Sequence, residues 1–194
     1  MGFAPEDLSD SSLATYKSNR DVSKIMDNFE DYLKSDSQLL KLALTDPSYR
    51  NYVAFQALST NESLSTFGDA ILRFILAEQI YDEGKGSASE RRKIFENNHY
   101  LVSVIAKHYS LLDILRYDRN DIHKQAGYSW DTSASRSASN RRKSNPQKYI
   151  ADAMEAVLAA YYLDCNRDID RIRSLIKEWE SLIREYRAIY GNSY

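Results

Sequence analysis

Apolar residues recur along most of this 194-residue chain at the three-to-four-residue spacing of one helix face. The spacing predicts helices over about 23–34, 38–44, 61–81, 89–97, 100–110, 111–117, 146–163 and 169–190. The two-residue alternation typical of half-buried strands is missing from the sequence. We therefore expect an all-α fold: a polar arm over 1–20, then a single helical domain over 21–194 with a basic loop at about 127–147.

The predicted helix at 61–81 has a polar face and an apolar face. At about 100° per residue, one side collects Glu62, Ser65, Thr66, Asp69 and Arg73. The opposite side collects Leu64, Phe67, Ile71 and Ile75. Beyond Asp69 the helix becomes apolar almost all round, which predicts that it is buried on several sides.

The predicted helix at 146–163 repeats this arrangement. Asp152, Glu155 and Ala159 share one face, and the opposite face carries Ile150, Met154, Val157 and Tyr161. Any single acid is more often part of a solvated surface, but here the surrounding alanines permit another helix to approach closely. If the two helices pack together, up to four carboxylates converge, as they do around hard divalent cations.

Three segments carry a family resemblance. Residues 151–164 resemble the A-D-x-x-E-A-x-x-G-A-x-Y-L-D motif of the ribonuclease III family, with Lys148 at the family's lysine position and Ala159 in place of its glycine. Residues 61–69 resemble the family's N-E-R-L-E-F-L-G-D helix. Residues 43–49 are similar to its A-L-T-H-x-S-Y turn, with Asp46 in place of histidine. Three matches in order, over about 35–165, are more specific than any one alone.

The resemblance implies a set of site residues and one departure from it. The catalytic acids would be Glu62, Asp69, Asp152 and Glu155, and the last three would bind metal. Ser65 stands where the family has a further metal-coordinating glutamate, so the site lacks one negative charge and one strong oxygen ligand. Either water or Glu62 fills this gap, or catalysis has been lost.

The activity that the resemblance implies is hydrolysis of double-stranded RNA. A ribonuclease III-type endoribonuclease acts as a homodimer with Mg²⁺, for which Mn²⁺ may substitute, and leaves 5′-phosphate and 3′-hydroxyl ends with short 3′ overhangs. One alternative is a catalytically impaired relative that binds double-stranded RNA or is a ribosome-associated structural protein, and Ser65 supports it. Against it, a decayed site should not keep the other acids and Lys148. A third hypothesis is that the chain is an unrelated helical module that mediates protein interactions.

Net charge of −2 means that RNA affinity must come from local basic patches. The candidate RNA-binding residues are Arg136, Arg141, Arg142, Lys143 and Lys148, which concentrate positive charge just before the second acidic helix. A solvated surface loop is the plainer interpretation of this segment. Only about 30 residues follow Asp164, too few for the RNA-binding domain that often follows in the family, so the chain is either naturally minimal or truncated.

The remaining composition narrows the setting. The single Cys165 excludes an intramolecular disulfide and suggests a half-buried thiol in a reducing, intracellular compartment, cytoplasmic or nuclear. No apolar run approaches the roughly 20 residues that span a bilayer, so no membrane partner is expected. The three histidines have no metal-ligand spacing.

Overall fold

A computed structural model describes residues 28–51, 59–83, 98–118 and 146–191. The regular elements within these ranges are all helical, which confirms the all-α prediction. They are α1 (Phe29–Leu33), α2 (Gln38–Ala43), a 3₁₀ turn (Pro47–Asn51), α3 (Glu62–Glu83), α4 (Asn98–Tyr100) continuing into a π-helical turn (Leu101–Ala106), α5 (Leu111–Ile114), α6 (Pro146–Asp164) and α7 (Ile169–Tyr190).

Side-chain caps fix where three of these helices begin. Asn28 accepts from the backbone N–H of Asp31, and Ser37 accepts from the N–H groups of the second and third residues of α2. Asp168 does the same at α7. Such caps satisfy N–H groups that have no partner inside the helix. The predicted helix start near Ser23, and the whole predicted helix at 89–97, lie outside the described residues.

Helix α5 is shorter than predicted. The expected helix at 111–117 ends at Ile114, and Leu115 has an extended backbone with ψ of 134°. Arg116 then forms an isolated parallel bridge with Thr45. Its N–H donates to the carbonyl of Leu44 at 2.8 Å, and its carbonyl accepts from the N–H of Asp46 at 2.9 Å. This bridge competes with the helix for the same backbone groups and ties the chain after α5 to the turn after α2.

Helix α6 is the centre of the core. It packs against α3, α2, the π-helical turn and α7, and its residues 156–160 are all fully buried. The approach of α3 is unusually close, because a Cβ atom at Gly68 would lie 1.8 Å from the carbonyl oxygen of Glu155. Only glycine fits there, so this position sets the distance between the two helices that carry the acidic residues.

An aromatic cluster closes the other side of α6. The ring of Phe29 lies edge-on to Tyr109, Tyr161 and Trp179, with ring centroids 4.9, 5.2 and 5.9 Å away. Edge-to-face pairs of this kind each contribute about 0.5–1.5 kcal/mol beyond the area that they bury. The cluster therefore joins α1, the segment after the π-helical turn, α6 and α7.

The apolar surface of α3 is only partly buried, which corrects the prediction. Leu64, Ile71 and Ile75 lie in the core as expected, but Phe67 is 40% exposed and Phe74 is 56% exposed. With two exposed alanines and the exposed Tyr81 they form a continuous apolar line, here called the α3 stripe: Phe67, Ala70, Phe74, Ala77 and Tyr81. Within the described residues, no helix is both long enough and apolar enough to cross a membrane.

Candidate active site

The contact between α3 and α6 brings Ser65 against Glu155, ninety residues later in the chain. The Ser65 hydroxyl donates to Oε2 of Glu155 at 3.1 Å, and Ser65 itself is buried. The sequence left open whether these two faces meet, and the structure places them together. Ser65 thus contacts a predicted metal ligand directly.

Glu155 has the most perturbed carboxyl group of this site. Burial raises its pKa to about 7, and the negative charges of Asp69 and Asp152 add to the rise. The hydrogen bond from Ser65 and the positive charge of Lys148 act in the opposite direction. Three of the predicted acids are therefore close enough for their charges to oppose one another.

Two of these acids are paired with cations on their own helices. Asp69 accepts from Nε of Arg73 at 2.9 Å, one turn later in α3. Asp152 is paired with Nζ of Lys148, one turn earlier in α6, and this hydrogen bond raises the pKa of the lysine. Across the described ranges, no group of three or more His, Cys, Asp or Glu side chains is arranged to hold a metal ion.

Glu62 has a different environment from the other three acids. Its carboxylate accepts from the hydroxyl of Thr60 at 3.1 Å and lies 3.8 Å from Nη2 of Arg50. The charge of Glu62 is not among those that shift the pKa of Glu155. As placed here, Glu62 belongs to a neighbouring cluster with Thr60 and Arg50. The alternative that it replaces the missing ligand would require its side chain to turn toward Ser65.

Asp46 has a structural role where the family-like turn has histidine. It is 1% exposed, and its Oδ1 accepts from the N–H of Ser48 at 2.8 Å. It thereby caps the 3₁₀ turn that carries Arg50. The negative charge of Asp46 also contributes to the raised pKa of Lys148, so this turn lies near the acidic face of α6.

The donor chemistry of the site fits a hard divalent cation. Carboxylate and hydroxyl oxygens are the ligands that Mg²⁺ and Mn²⁺ accept. Mutual repulsion between the three carboxylates is what a bound cation relieves. The side chains of Asp69 and Asp152 are 36% and 27% exposed, so both remain accessible to solvent beside their arginine and lysine partners.

The other sequence candidates divide into two groups. Of the predicted RNA-binding residues, only Lys148 lies in the described part of the chain, and the basic loop residues lie outside it. Cys165 is buried, more deeply than predicted, and burial raises the pKa of its thiol. His99 is also buried, and burial lowers its pKa. Both fit structural roles.

Comparison with known proteins places this chain in a family. A model of the ribonuclease III domain matches residues 62–166, slightly more than half of the chain. The chain belongs to the ribonuclease III family. The match covers α3 and α6, and therefore Ser65, Asp69, Asp152 and Glu155. The family resemblance read from the sequence is confirmed.

Several bacterial proteins named Ribonuclease 3 are similar to this ribonuclease III domain. One from Vibrio parahaemolyticus is 28% identical over 76% of this chain and 56% of its own length. One from Pseudomonas fluorescens is 32% identical over 74% of this chain and 54% of its own length. A protein from Nostoc named Ribonuclease 3 1 is 31% identical over 81% of this chain and 63% of its own length. The match thus spans little more than half of these relatives, and no solved structure matches significantly.

Proposed function

We propose that this ribonuclease III domain is a metal-dependent endoribonuclease that hydrolyses phosphodiester bonds of double-stranded RNA, leaving 5′-phosphate and 3′-hydroxyl ends with short 3′ overhangs. The observation that carries the proposal is the arrangement around Glu155, whose carboxyl group contacts Ser65 and interacts with the charges of Asp69 and Asp152. Such a half-buried set of opposing carboxylates is costly to keep unless it binds something.

The chemistry assigns a task to each of these side chains. Asp69, Asp152 and Glu155 would hold Mg²⁺, or Mn²⁺ in its place, and Ser65 would keep Oε2 of Glu155 in a fixed direction. Bound there, a divalent cation would activate water and stabilise the charge that develops on the phosphate. Lys148, already drawn to Asp152, adds a positive charge at the point where the negative RNA backbone must approach.

The substrate class follows from the family and from the charges. Duplex RNA is recognised mostly by shape, phosphates and 2′-hydroxyl groups, so we expect weak sequence preference. Lys148 would contact phosphate, and we keep the prediction that Arg136, Arg141, Arg142 and Lys143 do so as well.

Homodimer formation accounts for the α3 stripe. Its residues are spaced by three and four positions, the spacing with which two helices pack along a common seam. Phe74 is more than half exposed in the monomer, although it lies in the middle of this line. A two-fold axis across α3 would bury the stripe against its copy and place one acidic site for each RNA strand.

A cleavage assay tests the proposed reaction. Long duplex RNA is incubated with the protein in Mg²⁺, in Mn²⁺ or in chelator, and fragment lengths and ends are measured. We expect slow cutting in Mg²⁺ and faster cutting in Mn²⁺, because Mg²⁺ demands near-ideal octahedral oxygen geometry and this site lacks one carboxylate. Asp152→Asn and Glu155→Gln should each abolish cutting.

Glu185→Gln is the control for that assay. Glu185 is an exposed acid on α7, outside the acidic site, so its loss should leave cutting unchanged. RNA binding without any cutting in either metal would identify the catalytically impaired alternative. Cutting that persists in both site variants would contradict the proposed site.

A further inference from the structure

A cluster beside the acidic site was not predicted from the sequence. Nη2 of Arg50 donates to the hydroxyl of Thr60 at 3.2 Å, and that hydroxyl donates to Oε2 of Glu62 at 3.1 Å. Arg50 and Glu62 are 3.8 Å apart, which is beyond direct hydrogen-bond distance. Thr60 therefore links the arginine to the carboxylate. It is 8% exposed, so it is a fixed point between two more exposed side chains.

The pair is poorly explained by stability alone. The side chains of Arg50 and Glu62 are 40% and 67% exposed, and exposed ion pairs contribute little to folding. The arrangement does keep the guanidinium in one place. Its backbone belongs to the 3₁₀ turn that the buried Asp46 caps, so both ends of the arginine are positioned.

The location of this pair points to the RNA backbone. Glu62 lies three residues before Ser65 on α3, a rise of about 4.5 Å along the helix. Ser65 contacts Glu155 in the acidic site. A phosphodiester bound at Glu155 continues into further phosphates of the same strand, and a guanidinium one helical turn away can bind one of them bidentately.

We propose that Arg50 is a phosphate contact of the RNA duplex, and that Thr60 and Glu62 hold its guanidinium in position until phosphate displaces the carboxylate. This inference rests on the proposed function. Glu62 then acts as an internal competitor for Arg50: it orders the arginine in the free protein and opposes RNA binding by its charge. The two residues should therefore affect RNA affinity in opposite directions.

The test measures binding of a short fluorescent RNA duplex in chelator, where no cutting occurs, as a function of salt. Arg50→Gln should weaken binding several-fold and reduce the slope of log affinity against log salt by about one, the loss of one phosphate contact. Glu62→Gln should tighten binding several-fold. Arg50→Lys keeps the charge and should keep most of the slope.

Arg173→Gln is the matched control. Arg173 also lies between carboxylates, Glu78 and Asp170, but Glu78 is sixteen residues beyond Glu62 on α3, a rise of about 24 Å. Its substitution should leave the slope unchanged. Thermal melting of all variants serves as the second measurement, since a purely structural pair would lose similar stability from either side.

The outcomes separate the two proposals. If the unaltered protein does not bind duplex RNA, the proposed function fails and this inference fails with it. If it binds, but Arg50→Gln keeps the full salt slope, only the role of Arg50 is overturned. If Arg50→Gln and Glu62→Gln both weaken binding and lower the melting temperature equally, the pair is structural. Opposite changes in affinity support the inference.

Discussion

Ser65 acts on Glu155 in two ways at the scale of single residues. Its hydroxyl donates to Oε2, which favours the ionised carboxylate and lowers the pKa that burial raises. It also adds no charge, so the site has one negative charge fewer than a site with glutamate there. In the cation-free protein this arrangement reduces repulsion, whereas with a divalent cation it removes a ligand.

At the residue scale, we predict that Ser65→Glu makes the thermal stability of the protein depend on Mg²⁺. A carboxylate introduced at the position whose hydroxyl now contacts Glu155 should destabilise the protein in chelator, because like charges then meet in a half-buried place. Millimolar Mg²⁺ should reverse this. If the metal ligand is regained without strain, it should contribute about 1–3 kcal/mol to Mg²⁺ binding. Mg²⁺ should then raise the melting temperature of Ser65→Glu by about 3 °C or more beyond its effect on the unaltered protein. Duplex cleavage should also be faster.

Ser65→Gln is the matched control for that prediction, since glutamine has the size of glutamate without its charge. Mg²⁺ should raise its melting temperature no more than it raises that of the unaltered protein. If Mg²⁺ stabilises Ser65→Glu no more than it stabilises the unaltered protein, the pocket has adapted to the hydroxyl. The interpretation of Ser65 as a lost ligand would then be wrong.

Sequence reasoning was informative for some residues of the site and uninformative for others. The i,i+3 spacing of Asp152 and Glu155 places both on one helix face whatever surrounds them, so it is readable from the chain. Arg50 and Thr60 meet Glu62 through the fold, and no local pattern indicates that contact. The cations that pair with Asp69 and Asp152 do follow i,i+4 spacing and could have been noticed.

Gly68 controls the site at the scale of elements. Its missing Cβ lets α3 contact the backbone of α6 at Glu155, one turn from Ser65 and next to Asp69. The obstacle to a larger residue is a backbone carbonyl, which cannot rotate away as a flexible side chain would. The distance between the two helices is therefore fixed by this one position.

We predict that Gly68→Ala destabilises the protein and separates the two halves of the site. Alanine favours helix by about 1 kcal/mol over glycine, but overpacking against backbone costs about 1–3 kcal/mol or more. Chemical denaturation should show a net loss of stability, and cleavage should fall further than stability alone explains. Ser63→Ala, at an exposed position of α3, should be neutral or slightly stabilising. Equal stability of both variants would contradict the close contact.

Element boundaries were predicted best where local signals were strong. Helix α7 begins and ends at the predicted residues, because Asp168 caps its start and its apolar positions recur regularly. Within 100–110, the sequence predicted an ordinary helix, but the structure has a π-helical turn over 101–106. A run of apolar residues does not distinguish i→i+4 from i→i+5 hydrogen bonding, so this difference could not be read from the pattern.

At the scale of the whole molecule, the α3 stripe shows what a hydrophobic pattern leaves open. An apolar residue in a helix predicts burial, but not whether the covering surface belongs to the same chain or to another. Ile71 and Ile75 are covered by the same chain, whereas Phe67 and Phe74 remain substantially exposed. The Phe67 ring also contacts Tyr162 of α6, with centroids 6.0 Å apart, so the stripe continues onto a second helix.

The last prediction is that the α3 stripe holds the homodimer together. Sedimentation at micromolar concentration should show a dimer, and Phe74→Glu should convert it to a folded monomer, because a charge at the centre of an apolar two-fold contact is repeated on both copies. Ile189→Glu alters a still more exposed apolar residue near the end of α7 and should remain dimeric. A monomeric unaltered protein would remove the model in which two sites cut opposite strands. A dimer that survives Phe74→Glu would place the interface elsewhere.

The monomeric Phe74→Glu variant should still bind duplex RNA, but more weakly than the dimer. The reason is that a single subunit offers one RNA-binding surface, whereas the dimer offers two that act together.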